Sequence, residues 1–290
     1  MVNPETKGFV ILTAAGFLYS LYGVFSRAIG SSLANFFQYW TRGLIITLII
    51  LVILRFQKIS LRPISKHLLP WAVITATTSG IIIPTFFIAV NNLAIGTTLF
   101  MFYATSTICS YALGKLLHGE IITKIKIVSL TLAIAGLSFI FTDTIDIGNI
   151  FYMSLAMISG ALFGVNINSV KKLGNYFPSL QINIFNWTGA FFINILISIF
   201  LRETPDFNLL QPAWISNIGL SLCSLGASLS VIVGFKFIEV QKGSIILLSE
   251  LLFGVMIGLL LYSEIPTLLT ILGSILIFIA LLLPNLKQFN

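Results

Sequence analysis

The residue in this chain that most invites chemistry is a single carboxylate in an apolar run. Glu250 stands in "GSIILLSELLFGVMIGLLLY" (243–262). It lies about ten residues into a stretch long enough to cross a bilayer, hence near mid-depth. A carboxylate there is costly unless it is neutral, paired or facing water. It can bind a cationic or amino-bearing group, hold an exchangeable proton that couples to solute movement, or tie helices together by a hydrogen bond. Other polar side chains recur at helical spacing in neighbouring runs. Tyr19, Tyr22 and Ser26 share one face; Leu99, Tyr103, Ser106 and Ser110 share another; Phe163, Asn166 and Ser169 share a third. Aromatics and amides at such depth suit an organic solute through stacking and hydrogen bonds, whereas a tyrosine near the end of a run serves equally as an interfacial anchor. Tyr103 and Ser106 are expected to face Glu250.

Catalytic and metal chemistries lack their residues. Both histidines, His67 and His118, stand at the edges of polar segments, and no H-E-x-x-H, G-x-S-x-G, paired membrane aspartates or P-loop occurs. No metal and no cofactor is expected beyond proton coupling through Glu250. Cys109 and Cys223 fall inside apolar runs with no redox or metal spacing and read as small packing residues.

These residues are positioned by apolar runs. With 57% hydrophobic residues, 9% charged residues and a mean hydropathy of +1.04, the chain cannot cover a water-soluble surface of its size. Ten spans are predicted, at about 8–27, 34–54, 69–90, 94–114, 124–141, 149–169, 181–201, 214–235, 240–261 and 267–284, with turn and cap residues in the breaks. The fold class is all-α and integral to the membrane. In the third span "TATTSGIIIPTFF" (75–87) gathers Gly80 and Pro84, and in the eighth "SLCSLGASLS" (221–230) holds Gly226. These are candidate gating positions, where a helix bends or packs closely.

Charge sets the orientation. If the N-terminus is cytoplasmic, thirteen of the sixteen basic residues fall on that side, while Asp143, Asp146, Glu203, Asp206 and Glu264 gather on the other. Both termini are therefore expected inside a bacterial-type inner membrane. The first run is too long for a cleavable leader and is expected to stay. The net charge of +7 is scattered over separate segments rather than along one helix face, which argues against a nucleic-acid partner.

The chain also repeats itself. "LLHGEIIT" (116–123) and "LLYSEIPT" (260–267) match at five of eight positions, 144 residues apart in a chain of 290. The same shift, without a gap, sets Arg27 on Lys171, Arg42 on Asn186, Glu120 on Glu264 and Thr123 on Thr267. An odd number of spans per copy turns the second copy upside down, so residues 1–145 and 146–290 are expected to be inverted five-helix repeats. Such halves can expose a shared pocket to either side in turn.

"LLHGEIITKIKIVSLTLAIAGLSFIF" (116–141) and "LLSELLFGVMIGLLLYSEIPTLLTILGSILIFIALLL" (247–283) resemble the terminal helices of each half of an EamA-type carrier of the drug/metabolite transporter superfamily. In such carriers a helix ending in an "LLGE"-like turn precedes one with spaced Gly and Ala. The chain departs from the pattern where Leu251 follows Glu250 in place of a proline, and where Ser106 stands at the position of Glu250 in the first half. The resemblance implies a secondary transporter of a small organic metabolite, an amino acid or related solute, moved outward or by exchange, with the bilayer and the solute as partners and a monomer or homodimer as the unit. A lipid flippase and an intramembrane enzyme are the alternatives. Arg42, two turns into its span, is expected to snorkel to the outer interface or pair with a helix end. Glu120 and Glu264 are expected to accept bonds from unpaired N–H groups at helix ends.

Overall fold

The computed structural model describes residues 3–142 and 149–288, so Asp143 and Asp146 lie outside the described residues. Helices follow one another along the whole chain: α1 (Pro4–Ile29), α2 (Asn35–Phe56), α3 (Leu69–Val90), α4 (Ile95–His118), α5 (Lys124–Phe141), α6 (Ile150–Gly174), α7 (Ser179–Phe200), α8 (Pro212–Gly234), α9 (Val240–Leu247), α10 (Ser249–Tyr262) and α11 (Leu268–Leu282). Among the described residues nine segments are long and apolar enough to cross a membrane, α9 and α10 counting as one. α4 has the length but carries Thr97, Thr98, Thr105, Ser106, Thr107 and Ser110. The run 240–261, expected as one span, forms one from Val240 to Tyr262. Within it the chain tightens for one residue at Leu248, directly before Ser249 and Glu250.

Local chemistry sets the helix ends. Asn3 accepts from the Glu5 N–H ahead of Pro4, Asn149 accepts from the Phe151 N–H, and Thr123 and Thr267 cap α5 and α11. The repeated octapeptide folds twice into the same turn. Gly119 (φ 68°) and Ser263 (φ 54°) close α4 and α10 in the left-handed region. The Glu120 and Glu264 N–H groups then reach back to the Gly114 and Gly258 carbonyls at 3.2 and 3.1 Å. A Cβ at Gly114 or Gly258 would sit 2.8 or 2.7 Å from the carboxylate of that same glutamate, so glycine makes room for it in both turns.

The largest packings join helices from opposite halves of the chain: α1 with α8, α3 with α6 and α7, α4 with α6, α2 with α7, α5 with α11. The halves share one interior. Small residues bring the backbones together, as where Gly189 of α7 meets the Ala76 carbonyl of α3 and Gly160 of α6 meets the Phe102 carbonyl of α4. Buried polar groups bridge helices: Asn217 Nδ2 donates to Thr41 Oγ1 (3.0 Å), Trp187 Nε1 to Ser228 Oγ (3.2 Å) and Ser159 Oγ to the Ile82 carbonyl (2.8 Å). Pro84 lacks the N–H that the Gly80 carbonyl would accept within α3, and Asn194 of α7 donates to that carbonyl instead at 3.2 Å. Gly80 also packs on Gly189 and Ile193. The proline segment is thus fastened to α7.

Candidate functional site

Five helices converge on the interior where Glu250 lies. From the first turn of α10 its half-buried carboxylate lies beside the Tyr103 hydroxyl of α4. The first turn of a helix is favourable ground for negative charge. α1 contributes Tyr19 and Tyr22, stacked edge to face with centroids 5.3 Å apart. Both tyrosines are within electrostatic reach of Glu250. Tyr22 also lies beside Ser224 of α8. α2 contributes Tyr39 and Arg42. The Arg42 guanidinium lies 5.2 Å from the Tyr39 ring centroid and 5.9 Å from that of Tyr22.

Of the residues singled out from sequence, Tyr19, Tyr22, Tyr103 and Glu250 are thus brought together. Ser106 is buried and donates back to the Tyr103 carbonyl at 3.0 Å. Asn166 is committed elsewhere, its Nδ2 donating to the Thr75 carbonyl (3.1 Å), Thr78 Oγ1 (2.9 Å) and Asn186 Oδ1 (3.0 Å), which ties α6 to α3 and α7. Gly226 has Leu18 Cδ1 3.0 Å from where its Cβ would stand. Space remains open on two site helices: a Cβ at Gly23 or Gly254 would meet no atom within 4 Å.

Arg42 corrects an expectation. It does not reach the interface, being 5% exposed, because α2 turns its flank into the bundle while Gly43 lies against Trp187 and Phe191 of α7. Tyr39, Ser224 and the buried Ser249, which packs on Gly16 of α1, carried no signal in the sequence beyond polarity within an apolar run.

Ion pairs lie at both ends of the bundle. At the end where α1 begins, Glu120 is buried and accepts from the Val240 N–H (2.7 Å), the Gln241 N–H (3.0 Å) and Lys171 Nζ (2.9 Å). It therefore caps α9, not the helix that follows it. Burial alone would raise its carboxyl, but Lys171 and the N–H groups of Gln241 and Val240 outweigh that and hold it below the usual carboxylate range. Around it Lys126 Nζ binds Glu239 (2.9 Å) and Gln241 (2.8 Å), and Lys242 binds Glu5 (3.0 Å). An open cleft of about 880 Å³ lies over this cluster, lined by Glu120, Lys126, Lys171, Lys172, Glu239 and Lys242 among others. It is a mouth, remote from Glu250. At the opposite end Arg27 pairs with Glu264 at 2.7 Å, both side chains about half exposed (54% and 53%), with the guanidinium 4.2 Å from the Tyr262 ring. Among the described residues no group of three or more His, Cys, Asp or Glu could hold a metal.

A bundle of membrane-length helices that share one interior and gather a carboxylate, a guanidinium and four tyrosines inside it marks a polytopic membrane protein with a polar interior. The particular likeness is in the chain itself: residues 150–286, in its second half, match the EamA-like transporter family. A solved structure described as "Crystal structure of protein" superposes with a TM-score of 0.83 over 98% of this chain and 99% of that one, at 13% identity. At that identity the likeness is one of fold. No curated protein matches the sequence.

Proposed function

We propose that the protein is a secondary carrier of a small organic metabolite, of the amino-acid type or related to it, working by alternating access around the Glu250 site in a bacterial-type inner membrane. Glu250 and Tyr103 bind the solute or carry a coupled proton, Tyr19 and Tyr22 pack on its body, and residues 1–145 and 146–290 act as inverted repeats.

One observation carries this reading. The shift of 144 residues converts the pair Glu120–Lys171 into the pair Glu264–Arg27. The two pairs lie at opposite ends of the bundle, since Arg27 is 22 residues beyond Glu5 on α1, about 33 Å at helical rise. Contacts between α5 and α11 exchange under the same shift: Gly136 on Gly273 becomes Ala280 on Ser129, and both contacts occur. A two-fold relation that swaps ends is what inverted repeats produce. The ends differ in state. Glu120 is buried and bound by two helix N–H groups, whereas Glu264 is half exposed. This supports a conformation latched at the Lys-rich, cytoplasmic end and loose at the outer end.

The experiment is a lock. In a chain with Cys109 and Cys223 replaced by alanine, cysteines at positions 27 and 264 are bridged by a short thiol cross-linker after the protein is placed in vesicles. A carrier responds by opening its other end, so that Ser110→Cys, kept free during bridging, labels faster from the cytoplasmic face. Unchanged labelling with the bridge complete would remove alternating access.

A further inference from the structure

We propose that Arg42 receives the anionic group of the carried solute, and that the solute is a small amino-carboxylate whose body lies on Tyr22 and Tyr39. The proposal rests on the carrier reading and deepens it at the same site.

Arg42 is buried, its Nε has no hydrogen-bond partner among the described residues, and no carboxylate there pairs with it. Its recorded neighbours are two tyrosine rings at 5.2 and 5.9 Å. Rings compensate part of the lost hydration of a guanidinium but leave the in-plane N–H fork unused. A buried cation in a membrane-embedded interior is retained when something anionic visits it.

Packing does not require the charge. The repeat-related residue, Asn186, lies at the corresponding place in α7 as a neutral amide, accepting from Asn166 at 3.0 Å. The Arg42 side of that relation instead has two tyrosine rings and no acceptor for Nε among the described residues. The two halves thus differ where one is closed by its own hydrogen bonds and the other lacks an acceptor.

The charge balance of the site selects the class of solute. Glu250 lies beside Tyr103 and makes no ion pair with Arg42, and Tyr22 stands within electrostatic reach of both charges. A ligand lying along Tyr22 therefore meets a cation at one end and a carboxylate at the other. One guanidinium matches one carboxylate in a bidentate fork. A doubly charged phosphate would call for a second cation, and among the described residues none faces Tyr22 or Tyr39 besides Arg42. An amino group at the Glu250 end completes neutrality, which suits transfer through a poorly hydrated interior.

The test uses the full-length purified protein in detergent. Thermal stability and binding are measured with individual proteinogenic L-amino acids, their methyl esters, the corresponding decarboxylated amines, and O-phosphoethanolamine as a lipid-headgroup mimic. At least one free acid is expected to raise Tm, its ester and amine binding roughly tenfold or more weakly, as for loss of a charge-assisted hydrogen-bond pair. Arg42→Gln is expected to bind the acid no better than the ester, and Arg42→Lys, which keeps the charge without the fork, to recover part of the difference. Should Arg42→Gln fail to fold, the acid-against-ester comparison on the unaltered chain still decides. An ester that binds as tightly as its acid, or an Arg42→Gln variant that keeps the discrimination, overturns the role of Arg42. Binding of O-phosphoethanolamine alone replaces the carboxylate with a phosphate headgroup. No response from any free acid, while the bridged outer end still opens the other, sinks the solute class and leaves the carrier standing; failure of both sinks the carrier reading too.

Discussion

Replacing Glu120 with glutamine removes one charge and one acceptor oxygen at nearly constant volume, so it weakens the latch at the Lys-rich end without opening a cavity. The carboxylate accepts from two backbone N–H groups at 2.7 and 3.0 Å and from Lys171 Nζ at 2.9 Å. Hydrogen bonds to a charged acceptor contribute about 1.5–3 kcal/mol each and neutral ones about 0.5–1.5; the two N–H groups use different carboxylate oxygens and glutamine offers one, so one bond weakens and the other is lost, about 2–3 kcal/mol together. Lys171 keeps the Ile238 carbonyl at 2.8 Å and is 19% exposed, so its loss is modest, about 1 kcal/mol. A total of about 3–4 kcal/mol moves the ratio of closed to open ends by roughly 150- to 1,000-fold. The readout is the labelling rate of Ser110→Cys with a membrane-impermeant thiol reagent from that face, in the chain lacking Cys109 and Cys223. Ser110 is buried on α4, eight residues before its last residue, His118, and so about 12 Å from that end. Lys171→Gln, which leaves both N–H bonds in place, should raise labelling less, and the double variant by less than the product of the two, because the same pair is broken in each. Labelling of the folded Glu120→Gln protein at the rate of the unaltered chain would refute the latch. The exposed Arg27–Glu264 pair is the contrast: Glu264→Gln should change little in this state, about 0–1 kcal/mol, as for surface ion pairs.

Glu250→Gln should abolish or redirect transport in proteoliposomes at unchanged yield, while Tyr103→Phe, which loses only the hydroxyl beside Glu250, should lower it about tenfold; full rates in both would take the pair out of the site. Gly189→Ala would drive a methyl into the Ala76 carbonyl and should cost about 1–3 kcal/mol, read as a lower Tm. Gly254→Ala, facing open space, should leave Tm unchanged, and equal Tm values for both variants would show that α3 and α7 do not pack as described. The Glu120 carboxyl is held below its ordinary range in the folded protein, so its stabilising effect is present above the unfolded value of about 4.3 and is lost as pH falls through the depressed folded value. The Tm difference between the unaltered protein and Glu120→Gln should therefore be constant from about pH 8 to 6 and shrink only in acid; a difference that vanishes near neutrality would contradict the Lys171 and N–H assignment.

The residues themselves determined the membrane class, the helix order and the repeated turn. Length and apolarity of the runs are local properties, and a cap such as Thr123 or Thr267 needs only the N–H groups of the next turn. Glu250 and Tyr103 were legible for the same reason, since a carboxylate in mid-run and a tyrosine at the matching register of α4 are visible in one dimension. The partners that lie across helices were not. That Glu120 caps α9 rather than α5 depends on where two distant helices meet. That Asn194 fills the acceptor opened by Pro84 depends on the approach of α3 and α7, which Gly189 permits. Arg42 shows the limit most plainly, because two turns of depth are compatible with a side chain stretched to the interface or folded into the bundle. Only the direction in which α2 turns its flank, set by its packing on α7, decided that the charge points inward.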